Sequence, residues 1–213
     1  MNQNNPSAEF DPRAAMALAD ETAAKARQSL YPHTPVLYFI WGTAWLIGYG
    51  ALHGGRYDWL PLTETAALLV LFSVLLVAAV FSAVLGIRSS IGLRGSTALQ
   101  GAIYGWSWAL GFVVVGLLSG IIATAVPQPD MRGLIINSMA ILLVGIMYML
   151  GGALWHDMAM VAMGIWFLVV DVVAMILGAD YYLLVFLTLG VLGFYAGTIV
   201  ELVRVRRMRK RLA

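Results

Sequence analysis

The sequence contains no cysteine. Disulfides, thiolate metal sites, thiol redox chemistry and palmitoylation are thereby excluded in any compartment. Charge is also scarce: 11% of the 213 residues are Asp, Glu, Lys or Arg, against 61% hydrophobic side chains. A water-soluble domain of this size could not bury that much apolar surface, so the bilayer is the expected solvent. No P-loop, GxSxG, HExxH or strand-to-helix GxGxxG motif is present. That argues against the chemistries those motifs support, and no enzyme activity, cofactor or metal is expected. The opening MNQNNPSAEF has neither a basic n-region nor an apolar h-region. A cleaved signal peptide is therefore not expected, and the spans themselves should drive insertion.

What the sequence does have is six apolar stretches, at about 36–53, 62–87, 101–126, 133–154, 158–178 and 181–203. Each is near the 20 residues that a bilayer demands of a helix, and turn signals such as GGRYDWLP, PQPDMRG and WHD separate them. Only helices satisfy the backbone in lipid, so the fold class expected is an all-α integral membrane protein, a six-transmembrane-helix bundle. Residues 1–10 are read as disordered and 35–203 as the membrane domain. Residues 11–34 are read as a short cytoplasmic amphipathic helix, opened by Asp11-Pro12 and carrying a thin apolar face with Met16, Leu18 and Leu30. Residues 204–213 are read as a basic cytoplasmic tail.

Eleven Lys and Arg fall on the side of the termini and two, Arg56 and Arg132, on the other. The positive-inside rule then places both termini in the cytoplasm. Trp41, Trp59, Tyr104, Trp106, Trp155, Tyr181 and Tyr182 lie near span ends, where amphipathic rings prefer to sit. In the tail, Arg204, Arg206, Arg207, Arg209, Lys210 and Arg211 read as anchors to lipid headgroups, not as a nucleic-acid surface.

Spans one and three share a pattern. Trp41, Gly42, Trp45 and Gly48 align with Tyr104, Gly105, Trp108 and Gly111, and a degenerate third copy begins at Gly164. Three tandem helical hairpins of one orientation follow from that alignment, with equivalent Gly and Trp positions packing equivalent helix crossings. Chance similarity in a Gly- and Trp-rich chain is the competing explanation. Parallel copies disfavour an inverted-repeat transporter. Gly101, Gly105, Gly116 and Gly120, and again Gly193 and Gly197, form small-xxx-small pairs that suit tight packing inside the bundle or a homodimer face.

Asp171 is the acidic residue well inside a span, about 10 Å from the nearer end at 1.5 Å per residue. Thr188, Ser119 and Asn137 fall at comparable depth, which predicts an outer-half polar belt around Asp171 if these faces turn inward. An intramembrane carboxyl serves function by default, and an interhelical hydrogen-bond anchor is the alternative. Glu201, three residues before Arg204, reads as a solvated ion pair, and Glu64 as a favourable charge at a helix N-terminus. His53 lies on the opposite side from His33 and His156, so His53 and His156 cannot share one iron. His156 with Asp157, Met158, Met160 and Met163 could suit a soft ion, but the spacing is not that of a ligand set.

The stretches Tyr38–Gly50, Gln100–Trp108 and Gly151–Asp157 resemble a group of uncharacterised six-span proteins of high-GC Gram-positive bacteria, often loosely labelled transporters. The resemblance runs over residues 12–200 and implies a bacterial plasma-membrane protein, without implying chemistry. A looser architectural likeness is to six-span acid-resistance membrane proteins. Three functions are in play. The first is a partner-binding, assembly or sensing component, in contact with lipid and with a homo-oligomer or another membrane protein. The second is a small transporter or channel using the Asp171 belt. The third is a cofactor-binding or redox accessory subunit.

Overall fold

Prolines and one aspartate set where several helices begin. In the computed structural model, which describes residues 11–14, 16–18, 33–90 and 96–212, α1 (Thr34–Arg56) and α4 (Pro129–Trp155) each carry proline in the first turn. Proline there forfeits no hydrogen bond and supplies the helical φ. Helix α5 (Met158–Leu177) starts at Asp157, whose carboxylate accepts from the Ala159 amide at 3.1 Å. It ends at Gly178, where φ of 81° lies in a region that costs a Cβ. Helices α2 (Glu64–Ser90) and α3 (Ser96–Ala125) complete the first half of the chain. The last span is composite: α6 (Tyr182–Val185), a π-helical turn (Phe186–Gly190) and α7 (Val191–Leu212). Six helical segments are long and apolar enough to cross a membrane, and no strand occurs among the described residues.

The basic segment read as a tail, 204–213, is helical, because α7 runs unbroken into it as far as Leu212. Apolarity ends there, but backbone hydrogen bonding does not need lipid to continue. Near the N-terminus, Asp11 caps a helical start through the Arg13 amide at 2.8 Å, and the described residues 12–14 and 16–18 are exposed. Residues 1–10 and most of the helix read over 11–34 lie outside the described residues.

The spans are not equivalent. Helices α1, α4, α5 and the composite sixth span share one core, centred on Trp45, Phe167, Phe186 and Phe194. Trp45 meets Phe194 edge-on at 5.2 Å and Phe167 at 5.4 Å, and Phe167 meets Phe194 at 4.7 Å. Such ring pairs add about 0.5–1.5 kcal/mol each beyond simple packing. The closest pairing is α4 with α5, where Gly145 and Gly164 bring the two backbones together. Helix α2 lies chiefly on α1 through Ala67, Leu71 and Ala78. Helix α3 lies chiefly on α4 and supplies no buried residue.

The chain crosses back and forth, so the bundle has two distinct ends. At one, Arg56 closing α1 pairs with Asp130 of α4 at 2.5 Å and with Asp180 at 3.5 Å. At the other, Arg204 of α7 pairs with Asp157 at 3.0 Å and Glu201 at 3.3 Å.

Candidate functional site

Asp171 sits on the core-facing side of α5 and is 3% exposed. From α4, Ser138 presents its hydroxyl to the carboxyl, yet neither Ser138 Oγ nor Asp171 Oδ1 reaches hydrogen-bond geometry with any group. From α1, Tyr49 lies within electrostatic reach of Asp171 and donates to Asn137 Oδ1 at 2.7 Å. The Asn137 amide donates in turn to the Gly133 carbonyl at 2.8 Å. The centre is therefore Asp171, Ser138, Tyr49 and Asn137, drawn from three helices.

Of the residues read as a belt from the sequence, Asn137 lies in this centre with Asp171. Thr188 does not: it is exposed on the π turn and donates to the Leu184 carbonyl at 2.6 Å. Ser119 does not either, because it stays on α3 and donates to the Val115 carbonyl at 2.7 Å. Both hydroxyls satisfy themselves against their own helix, so neither needs the core. Ser138 and Tyr49 are the members that sequence reasoning missed. Ser138 adjoins Asn137 in the chain, and Tyr49 ends the first copy of the aromatic-glycine pattern.

A second acidic centre lies at the Arg204 end. Glu201 is 1% exposed, and its Oε2 is buried without a partner. Its ion pair with Arg204 was expected to be solvated, but the Glu201 side of the pair is buried, and Tyr38 of α1 lies within electrostatic reach of it. Of the residues read as headgroup anchors, Arg204 is engaged by Asp157 and Glu201. Arg206, Arg207 and Lys210 are exposed, whereas the Arg209 and Arg211 side chains lie outside the described residues.

The repeat positions take unlike roles. Trp41 donates to Ser82 Oγ at 3.0 Å, joining α1 to α2. Gly42 lies against Phe194 and Tyr195, Gly48 against Leu71, and Gly111 against Leu143. Trp45 is fully inside the core, while Trp108 is half-buried and stacks on Phe112. Gly105 is a correction to the packing set: nothing approaches within 4 Å of where its Cβ would be. The same openness holds for Gly101, Gly116 and Gly120, because α3 turns only its Tyr104, Trp108 and Gly111 side toward α4. Gly193 and Gly197 are covered instead, by Trp166 and by Met163 with Tyr38.

The histidine and methionine group does not converge. His156 closes α4 with φ of 55°, Met158 is exposed, Met160 lies on Gly151 and Met163 enters the core. His53, at the Arg56 end, accepts from Trp59 Nε1 at 2.9 Å. No protein-family model, curated protein or solved structure matches this chain.

Proposed function

We propose that this chain is a non-enzymatic, multi-pass component of a bacterial plasma membrane that acts by assembling laterally with a second copy or another membrane protein through α3. The observation that carries this reading is the open face of α3. Glycine inside a helix costs about 1 kcal/mol relative to alanine, and four of them on an uncovered helix do nothing for the monomer. Close approach of a second backbone gives such glycines a use, since van der Waals packing at small residues drives helix association in lipid. The eleven basic residues that the sequence reading assigns to the side of the termini support a cytoplasmic placement of both termini. The packing of α1 on α2, α3 on α4, and α5 on the sixth span is compatible with construction from three hairpins.

Purification in mild detergent tests the assembly. A defined oligomer or a stoichiometric membrane partner is expected, and Gly105→Leu or Gly116→Leu should disperse it while leaving the monomer folded. A wild-type protein that is monomeric and moves a solute would end this reading.

A second reading is favoured by one observation, the unpartnered carboxyl of Asp171 in a membrane-spanning core. There the chain is a small transporter. Asp171→Asn should abolish flux in proteoliposomes, and robust flux through that variant would remove Asp171 from the mechanism.

A further inference from the structure

We propose that the four-span core is a proton route with two stations, Asp171 and Glu201, held apart by a seal of Trp45, Phe167 and Phe194. The proposal rests on the second reading above and extends it, naming the carried species and adding a residue on the far side of the seal.

Each station is a carboxyl that the bundle leaves short of partners. Asp171 Oδ1 and Glu201 Oε2 are buried and make no hydrogen bond. Among the described residues, no Lys, Arg or His pairs with Asp171. The groups facing it are Ser138 from α4 and Tyr49 from α1. Glu201 shares Arg204 with Asp157, so two acids lean on one guanidinium, and Tyr38 faces them from α1. A carboxylate left in such surroundings is costly, and protonation removes the cost.

The ligand is a proton and not a metal ion for two reasons. Among the described residues, no three His, Cys, Asp or Glu side chains gather as a metal site would need. At Glu201, the guanidinium already fills the place between the two carboxylates that a cation would take.

The geometry puts the stations on opposite sides of one barrier. Phe167 and Phe194 touch at 4.7 Å, and with Trp45 they are buried. Asp171 is four residues beyond Phe167 toward the Arg56 end. Glu201 is seven residues beyond Phe194 toward the Arg204 end. At 1.5 Å per residue the two carboxyls stand about 16 Å apart along the bundle. On the Glu201 side, Tyr148 borders Phe167 at 5.7 Å and Tyr38 borders Tyr148 at 6.0 Å. Of these two, Tyr38 lies within electrostatic reach of Glu201. In the transfer itself, the carboxylate of one station gains a proton from hydronium on its side and, as a carboxylic acid, passes it to the carboxylate of the other station. That second acid gives the proton up to water on the far side, with no redox change.

Two measurements on the full chain test this. Infrared spectra of the protein at neutral pH should contain C=O stretches of protonated carboxylic acids, with one component lost in Asp171→Asn and another in Glu201→Gln. In phosphatidylethanolamine and phosphatidylglycerol vesicles, a valinomycin-clamped potassium gradient should drive proton entry, read by pyranine. That rate should fall at least about tenfold in each variant, as loss of an intramembrane relay carboxyl demands. Asp171→Glu and Glu201→Asp retain the carboxyl, so flux in these and equal melting temperatures separate lost chemistry from lost fold. Loss of flux in Asp171→Asn but not Glu201→Gln removes Glu201 and overturns the two-station route while the transport reading stands. Asp171-dependent flux of another solute without proton flux overturns the proton alone. Ionised carboxyls throughout, with no flux of any kind, overturn both.

Discussion

The indole of Trp166 donates its N–H to the Leu189 carbonyl at 3.0 Å, linking α5 to the π turn of the sixth span. A π turn shifts the helical hydrogen-bond ladder by one residue, and a carbonyl beside it benefits from an outside donor. Trp166→Phe keeps most of the ring and removes the donor. We expect a loss of about 1–2 kcal/mol, the usual cost of stranding a buried polar group. The melting temperature in detergent should fall accordingly, and an unchanged value would show that the π turn supports itself.

Glycines of this chain should divide sharply by location. A Cβ on Gly164 would stand 2.6 Å from the Gly145 carbonyl oxygen and 2.8 Å from the Met149 amide nitrogen. Backbone cannot swing aside as a side chain does, so Gly164→Ala should destabilise by about 1–3 kcal/mol. Gly116→Ala meets open space and should leave the monomer as stable or better by up to about 1 kcal/mol. Unfolding in a harsh, dissociating detergent measures both, and equal effects would mean that α3 is covered within the monomer.

Removing Arg204 should cost more than a surface ion pair does. Arg204→Gln leaves Asp157 and the buried Glu201 without their shared cation. Because the guanidinium is partly exposed, about 1–2 kcal/mol is the appropriate scale. Adding Glu201→Gln to that variant should restore part of the loss. A double-mutant cycle with no coupling would show that the two side chains act independently.

Since the chain has no cysteine, single-cysteine variants report position against a clean background. Tyr181→Cys and Lys210→Cys sit on exposed residues at opposite ends. A membrane-impermeant maleimide should label the first in intact cells and the second only after permeabilisation. The reverse pattern would invert the proposed orientation.

Hydropathy makes the six spans plain in the sequence, and Pro129, Asp157 and Gly178 mark their ends to within a few residues of the observed limits. The burial of each span is not legible, because lipid tails are as apolar as leucine and a core helix reads like a peripheral one. Helix α3 and helix α1 share a motif, yet one lines the outside and the other the centre. Depth is legible for Asp171, Asn137, Thr188 and Ser119, since it needs only counting. The direction each side chain faces is not, and a hydroxyl that bonds back to its own helix gives no sign of it. Glu201 shows the same gap: spacing exposes its pairing with Arg204, while only packing reveals that the Glu201 carboxyl is buried.

The pairing of Arg56 with Asp130 and Asp180 has a mechanical consequence. One guanidinium fastens the end of α1 to the beginning of α4 and to the connection after α5, and Tyr57 adds a bond to the Asp180 carbonyl at 2.5 Å. Three spans are clasped at a single point on that rim. Arg204 ties the sixth span to the α4–α5 connection on the opposite rim, so the two arginines pin the bundle at both ends and leave its middle to packing and uncharged hydrogen bonds.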